Sequence, residues 1–244
     1  MKVIFPDVPE YHFILRGLCS EKFPQYPKFH CEALSQFEEG FKADIVFAAA
    51  PLAMLNSSNY SFLRAGNFFS YFSGPVILSS TMENREIHVS GRDFLSKYYA
   101  KILLKESNIT VGEGFPALME PRLALLIPET GYRKYDLYNA WRKIAGDLPF
   151  PLYSGLIKDS ISDLKGIVED AIDASIRYAL DNSSMLIRDI ATSFGIQNIE
   201  MLKRVIFHFI NKNTLIISEE EVESLKALNQ EMRNQGYPVS KLNF

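Results

Sequence analysis

The stretch ADIVFAAA at residues 43–50 constrains the fold of this chain most strongly. It is a continuous apolar run with one charged residue, Asp44, at its mouth, and this composition is typical of a parallel strand that is covered on both faces. Other short apolar strands alternate with helical patterns, which predicts an α/β fold with parallel strand pairing. From Ser162 onward, the apolar spacing is helical to the end of the chain.

Turn and capping signals predict further elements. Residues 34–40 have the pattern of a short helix that stops at a glycine, and residues 66–74, which are rich in Gly, Asn, Ser and Phe, have the pattern of a loop. Residues 123–127 are a predicted strand, and residues 135–145 are a predicted helix. Ser218 opens the sequence SEEE, which is the pattern of a capping box at the start of a helix.

The composition restricts the classes of function. The 244 residues suffice for one large domain or for two lobes of roughly 100 residues each, and 47% of them are hydrophobic, which permits a sizeable core. A net charge of −3 gives no general electrostatic reason to bind nucleic acid or an anionic membrane surface. The sequence has no run of about 18 apolar residues, so we expect no membrane span. The N-terminus lacks the long apolar stretch of a signal peptide, which favours a cytoplasmic location.

The cysteines and histidines do not form a recognisable metal motif. Cys19 and Cys31 are too few for a disulfide framework and lack the spacing of metal ligands, so we interpret them as two thiols in a reducing compartment. None of the four histidines has His-x-x-His or Glu-x-x-His spacing, and His12, close to Asp7, is the best candidate for a functional histidine. We therefore expect no metal and no other cofactor.

The segment at residues 123–157 carries the most specific pattern. An apolar run ends in polar residues, an aromatic and charged segment with the only tryptophan follows, and an apolar strand then opens. In order and spacing, DLYNAW at residues 136–141 and LPF at residues 148–150 are similar to the D-L-x-x-x-W helix start and the T-G-L-P hinge strand of a known family. That family is the menaquinone-biosynthesis family of the futalosine route, which contains chorismate dehydratase and 1,4-dihydroxy-6-naphthoate synthase.

The resemblance implies a two-lobed α/β fold similar to the periplasmic binding proteins of type II, with two hinge crossovers. Residues 1–76 together with residues 151–244 would form lobe one, and residues 77–150 would form lobe two. A cytoplasmic protein with this fold is more often an enzyme or a sensor than a transport receptor. The resemblance covers most of the chain and is most specific at residues 123–156.

The loop before the first predicted crossover is one candidate binding element. Asn67, Ser70, Ser73 and Gly74 lie there, and a glycine-rich loop offers backbone N–H groups to a carboxylate. The family carries a G-x-G-P-V-like segment at this place, where this chain has SGPVI at residues 73–77. The alternative is an ordinary surface loop built from turn residues.

The sequence SGRD at residues 90–93 lies between a predicted strand and a predicted helix, where the helix N-terminus attracts anions. The family places a Ser/Gly-x-Thr-Thr/Ser element here, so Ser90 and Gly91 match while Arg92 and Asp93 do not. Arg92 can bind a carboxylate through two hydrogen bonds. Asp93 can instead cap the helix.

The sequence LIPE at residues 126–129 departs from the family at one position. The naphthoate-synthase branch resembles I-H-E here, with the histidine as general base, whereas this chain has Pro128, which cannot transfer a proton. Glu129 aligns with the acidic residue of both branches and is our candidate catalytic base. The alternative is that Glu129 caps a helix or forms a salt bridge.

Three hypotheses for the function follow. The favoured one is a lyase of menaquinone biosynthesis that resembles chorismate dehydratase and acts on a small carboxylate in a cleft between the lobes. The second is a catalytically altered family member that only binds a small aromatic carboxylate. The third is a cytoplasmic sensor with the same two-lobed fold, because a fold alone does not fix a function. All three leave the oligomeric state open.

Overall fold

The computed structural model describes residues 1–37, 40–79, 86–90, 93, 95–105, 108–112, 114, 116–121 and 133–244. The strands in these ranges are β1 Lys2–Pro6, β2 His30–Leu34, β3 Ile45–Ala49, β4 Tyr60–Phe62, β5 Phe68–Ser70, β6 Val76–Ser79, β7 Glu86–Val89, β8 Asn108–Val111, β9 Ala117–Met119, β10 Arg133–Asp136 and β11 Phe150–Lys158. The helices are α1 Pro9–Ile14, α2 Arg16–Cys19, α3 Ala50–Leu55, α4 Ser96–Leu104, α5 Tyr138–Ala145, α6 Lys165–Asp181, α7 Ser183–Ser193, α8 Ile199–Phe209, α9 Lys212–Leu215 and α10 Glu219–Asn234.

The strands form two sheets. The first has the order β2-β1-β3-β11-β4, with β5 also paired to β11, and the second has the order β10-β6-β9-β7-β8. Pairing is parallel where β1 meets β2 and β3, and where β7 meets β8 and β9. It is antiparallel along β6 and β11, the strands that follow the two passages of the chain between the sheets. The predicted α/β fold with two lobes is confirmed.

The chain order defines the lobes. We use "first lobe" for the sheet of β1–β5 and β11 with the helices packed on it, and "second lobe" for the sheet of β6–β10. The chain passes from one to the other between β5 and β6 and returns between α5 and β11. The lobe boundaries after residues 76 and 150 remain predictions. The apolar run at residues 43–50 contains β3, and all five residues of this strand are buried.

The return crossover is fixed by aromatic side chains. Trp141 on α5 is fully buried, and its Nε1 donates to the carbonyl of Leu148 at 2.9 Å. The Tyr99 hydroxyl on α4 donates to the carbonyl of Pro151. The ring of Phe150 lies between them, with its centroid 5.7 Å from Trp141 and 4.4 Å from Tyr99. The crossover therefore belongs to the core and is not a loose linker.

The helix α10 joins the return crossover to the second lobe. The Ser224 hydroxyl donates to the carbonyl of Pro149, just before β11. Near the end of α10, Glu231 forms an ion pair with Lys105 at 2.9 Å, and Lys105 directly follows α4. The predicted capping box at Ser218 is also present at the start of α10. The helix thus contacts both lobes.

Several local predictions differ from the structure. The predicted short helix at residues 34–40 is wrong at its start, because Leu34 ends β2 by pairing with Pro6 of β1. The predicted loop at residues 66–74 contains β5, which pairs with β11. The predicted helix at residues 135–145 starts only at Tyr138, because the residues before it form β10 against β6. The predicted strand at residues 123–127 lies outside the described residues.

The interpretation of the cysteines as two thiols is wrong for this structure, in which Cys19 and Cys31 form a disulfide. Cys19 ends α2, and Cys31 lies in β2 opposite Val3 of β1. Their Cα atoms are 5.5 Å apart, which is within the range that a disulfide spans. The sequence separation of 12 residues did not reveal this contact, because it depends on the tertiary packing of a helix against an edge strand.

Reduction of this disulfide is expected to lower the free energy of unfolding by about 3 kcal/mol, because a crosslink that closes a loop of this length restricts the unfolded chain. Urea denaturation with and without reductant measures the change. In the Cys19→Ser/Cys31→Ser double variant, reductant should have no effect. Titration of two free thiols in the unreduced, denatured wild type would contradict the prediction.

Candidate functional site

A small pocket lies between the two lobes. The first lobe contributes the segment around α1, β5, β11 and α8, and the second lobe contributes the start of α4 and the residues after β9. The lining residues are Val8, Glu10, Phe68, Leu95, Glu120, Pro121, Leu152, Tyr153 and Phe209. Most of them are apolar, and two of them carry carboxyl groups. An apolar lining with a few polar groups and a position between lobes are features that this pocket shares with ligand sites.

The pocket is nearly closed. The lining residues leave room for about one water molecule. In this arrangement of the lobes, the space is too small for a small aromatic carboxylate.

Glu120 is the most buried carboxyl group of the pocket. It directly follows β9, and only 1% of the residue is exposed. The Tyr153 hydroxyl donates to Glu120 Oε2 at 3.2 Å. Tyr153 lies on β11 and its ring packs against Tyr11 and Phe68. A residue of the second lobe thus meets a residue of the first lobe inside the pocket.

Asp93 lies beside Glu120 and precedes α4. Its Oδ1 accepts hydrogen bonds from the backbone N–H groups of Leu95 at 2.9 Å and Ser96 at 2.6 Å, which is the helix-capping role suggested by the sequence. Burial raises the pKa of the Asp93 carboxyl, and hydrogen bonds with Ser96, Leu95 and Glu120 offset part of the rise. Asp93 therefore links the start of α4 to the pocket.

Glu10, in the first turn of α1, is the carboxyl group that the first lobe contributes to the pocket. It is 4% exposed. Burial raises the pKa of the neighbouring Tyr11 hydroxyl, and the charge of Glu10 raises it further. The pocket thus has acidic groups on both lobes.

Asn67, a predicted binding residue, makes structural hydrogen bonds. Its Nδ2 donates to the carbonyl of Leu63 at 3.0 Å, and its Oδ1 accepts from the N–H of Gly155 at 3.0 Å. It is buried and does not line the pocket. These bonds attach the turn before β5 to β11. Asn67 therefore holds together two strands that line the pocket, although its own side chain does not line it.

Ser70, Ser73 and Gly74 lie together at the first crossover and do not line this pocket, and their role in binding stays a prediction. The N–H of Ser73 donates to Ser70 Oγ at 3.1 Å, and the N–H of Gly74 donates to Asp136 Oδ1 at 2.7 Å. A Cβ atom on Gly74 would lie 2.8 Å from the backbone nitrogen of Tyr138, so this close approach requires glycine. The backbone N–H of Gly74 is therefore occupied by its hydrogen bond to Asp136, the first residue of the DLYNAW segment that resembles the family.

Of the remaining predicted residues, the structure describes only Ser90. Ser90 is exposed, and its carbonyl accepts from the N–H of Asp93 at 2.9 Å. Gly91, Arg92, Pro128 and Glu129 lie outside the described residues, and their roles in binding and catalysis remain predictions.

His12 does not line the pocket. Its Nε2 lies 2.8 Å from Asp7 Oδ1, and its ring contacts Phe5 and Phe194 edge-on, with centroid distances of 5.4 and 5.1 Å. A third of its side chain is exposed. The histidine favoured by the sequence thus forms a hydrogen bond with Asp7 on the first lobe.

Sequence reasoning missed Glu10, Glu120 and Tyr153. A signal for Glu120 was present, because the short apolar run ALM at residues 117–119 ends in an acidic residue followed by proline. The longer apolar run at residues 123–127 is the stronger strand signal. Tyr153 had no such signal, since it lies inside an almost wholly buried strand.

Among the residues that the structure describes, no group of three or more His, Cys, Asp or Glu side chains is arranged to hold a metal ion. No helix in the described part of the chain has both the length and the apolar character needed to cross a bilayer.

The comparison with known folds defines the class of protein. The chain has the fold of the periplasmic binding proteins. It is similar to the alkanesulfonate-binding protein SsuA of Xanthomonas axonopodis pv. citri, solved with bound MOPS, at a TM-score of 0.60, with 10% identity over 99% of this chain and 94% of that one. The desulfurization enzyme DSZB is similar at a TM-score of 0.57, with 11% identity over 97% and 92% of the two chains. Transport receptors and enzymes therefore share this fold.

The chain belongs to the menaquinone biosynthesis family, whose model matches residues 41–234. It is also similar to protein AF1704 of Archaeoglobus fulgidus, at a TM-score of 0.82 and 18% identity over 96% of this chain and 97% of that one. None of the curated proteins compared with the chain matches it. The family inferred from the segment at residues 123–157 is therefore confirmed.

Proposed function

We propose that this protein is a lyase of menaquinone biosynthesis that resembles chorismate dehydratase and removes water from a small hydroxylated carboxylate between its lobes. The observation that carries the proposal is the hydrogen bond between the buried Glu120 carboxyl and the Tyr153 hydroxyl at the wall of the pocket. This contact joins a carboxyl group and a hydroxyl group, both of which are able to transfer protons, in a pocket lined mostly by apolar residues. Membership in the menaquinone biosynthesis family supports the assignment of the reaction to that pathway.

An elimination of water needs a base, a proton donor and a site for the substrate carboxylate, all shielded from solvent. In our proposal, Glu129 is the base, and Ser90, Gly91 and Arg92 bind the carboxylate. Asn67, Ser70, Ser73 and Gly74 then act as supports of the crossover and β11, in line with their hydrogen bonds. In our proposal the reaction needs no metal or other cofactor.

Incubation of the protein with chorismate tests the proposal directly. We expect loss of chorismate with formation of an equal amount of 3-enolpyruvyl benzoate, measured by chromatography, and no such product in a sample without protein. Absence of product would overturn the proposed reaction. Tight binding of a benzoate-type carboxylate without turnover would instead support a binding protein that has lost the chemistry.

We also predict that the protein does not convert cyclic dehypoxanthine futalosine. By resemblance, the naphthoate-synthase branch uses a histidine as its base where this chain has Pro128, which has no titratable group. The best substitute from the sequence, His12, is hydrogen-bonded to Asp7 and does not line the pocket. Chromatography of the futalosine incubation checks this, and any measurable turnover by the wild type would contradict it.

A further inference from the structure

We propose that α10 controls the separation of the lobes: the start of this helix is the fixed end of a hinge, and its last turn is a latch that keeps the lobes close together. The inference does not depend on the reaction that the pocket performs. It follows from the contacts at the two ends of the helix, which differ in burial and in their distance from the crossovers.

The start of α10 is joined to both crossovers. Glu221 accepts a hydrogen bond from the hydroxyl of Tyr71, which lies in the passage from β5 to β6. Ser224, three residues later and on the same face of the helix, donates to the carbonyl of Pro149 in the return passage. Residues one turn apart on α10 thus hold the two segments that a hinge motion between the lobes has to bend.

The groups at the start of α10 are buried and have several partners. Glu221 is fully buried, and its Oε1 also accepts from Nδ2 of Asn213. Its Oε2 accepts from the N–H of Ser218 at 2.8 Å and from the Ser218 hydroxyl. Loss of a donor to a buried carboxyl group is costly, because no water can replace it. We therefore expect these contacts to persist whether the lobes are close together or apart.

The last turn of α10 contacts the second lobe through partly exposed groups. Glu231 pairs with Lys105 at 2.9 Å, and the side chain of Lys105 is 60% exposed. Gln235, directly after the helix, donates from Nε2 to the carbonyl of Ile102 on α4 at 2.8 Å. Water can replace the partners of an exposed ion pair at low cost. This end of the helix is therefore the one that we expect to separate when the lobes open.

The length of α10 makes its last turn the more sensitive end. Glu221 and Glu231 are ten residues apart, which corresponds to about 15 Å along a helix. A rotation about the crossovers therefore moves α4 relative to the last turn of α10 more than it moves the crossovers relative to the start of the helix. A small opening thus breaks the contacts of the last turn first.

The backbone at Lys105 gives independent support for the latch. Lys105 directly follows α4, and its φ of +46° lies in the left-handed region that favours glycine. Glycine is common just after the end of a helix for this reason. The chain has a lysine at this position, and the lysine side chain reaches Glu231. The residue type therefore suits the ion pair and not the backbone.

Distances between two spin labels test the latch without any ligand. One label is attached at Lys101→Cys on α4, and the other at Ser184→Cys on α7 of the first lobe, since both positions are exposed. The native cysteines are paired with each other and do not take up label under non-reducing conditions. The distance distribution then gives the ratio of molecules with separated lobes to molecules with closed lobes.

Lys105→Gln and Glu231→Gln should each raise this ratio by roughly two- to fivefold, because each variant removes the ion pair. The double variant should add little to either single variant, since the two side chains act as one pair. Unchanged distance distributions in both single variants would overturn the proposal.

The matched control is Lys226→Gln. Lys226 pairs with Glu223 at 2.7 Å within α10, and its side chain is 56% exposed, close to the value for Lys105. This variant loses an ion pair of the same kind without a change in the contacts with the second lobe, so the distances should stay as in the wild type. A shift as large as that of Lys105→Gln would show that the charge of the helix, and not the latch, sets the separation.

Tyr71→Phe tests the fixed end. The variant removes one donor to the buried Glu221, so the equilibrium constant for unfolding, measured in urea, should rise by about tenfold or more. The ratio of separated to closed lobes should keep its wild-type value. A change in this ratio without a loss of stability would overturn the assignment of the fixed end to the start of α10.

Discussion

Replacement of Glu129 by glutamine is expected to reduce turnover of chorismate by about 10²–10⁴-fold, because a general base contributes this much to a proton abstraction. Glutamine keeps nearly the volume of glutamate and loses only the titrating group. Initial rates of 3-enolpyruvyl benzoate formation measure the effect. A loss below about tenfold would remove Glu129 from the mechanism.

The pH dependence gives a second test of the base. A base must be ionised, so Glu129→Gln should abolish the limb of the profile in which activity rises with pH. Persistence of this limb in the variant would show that another group acts as the base.

Truncation of Trp141 to alanine is expected to lower the free energy of unfolding by about 3–5 kcal/mol, as for other fully buried aromatic side chains. The variant loses the packing against Phe150 and the hydrogen bond to the carbonyl of Leu148. Urea denaturation followed by circular dichroism measures the change, since Trp141 is the only tryptophan.

The matched control for this prediction is Trp141→Phe. Phenylalanine keeps an aromatic ring against Phe150 but cannot donate to Leu148, so the loss should be smaller than that of the alanine variant. If Trp141→Ala cost less than about 1 kcal/mol, the return crossover would not depend on this side chain as the structure indicates.

Local sequence signals predicted the elements whose formation depends mainly on neighbours in the chain. The continuous apolar run at residues 43–50 gave a buried inner strand, because only a position covered on both faces favours such a composition. The capping box at Ser218 gave the start of α10, because both of its hydrogen bonds lie within one helical turn.

The pocket could not be predicted in the same way. Glu120 follows a strand of only three residues, whose position is set by pairing with β6 and β7 and not by its own periodicity. Asn67 had the residue type of a ligand-binding group, but contacts with Leu63 and Gly155 occupy both ends of its amide. The contact with Gly155 joins residues 88 positions apart in the chain, which a local pattern does not encode.

The near-closure of the pocket determines how a ligand can arrive. The space between the lobes admits about one water molecule, so we expect the carboxylate of the proposed function to bind only to molecules whose lobes are transiently farther apart. The observed association rate should then stop increasing at high ligand concentration and level off at the rate of opening. The apparent dissociation constant exceeds the intrinsic one by the inverse of the open fraction. Substitutions that favour separated lobes, such as loss of the Lys105–Glu231 ion pair, would thus accelerate capture without any change in the groups that touch the ligand.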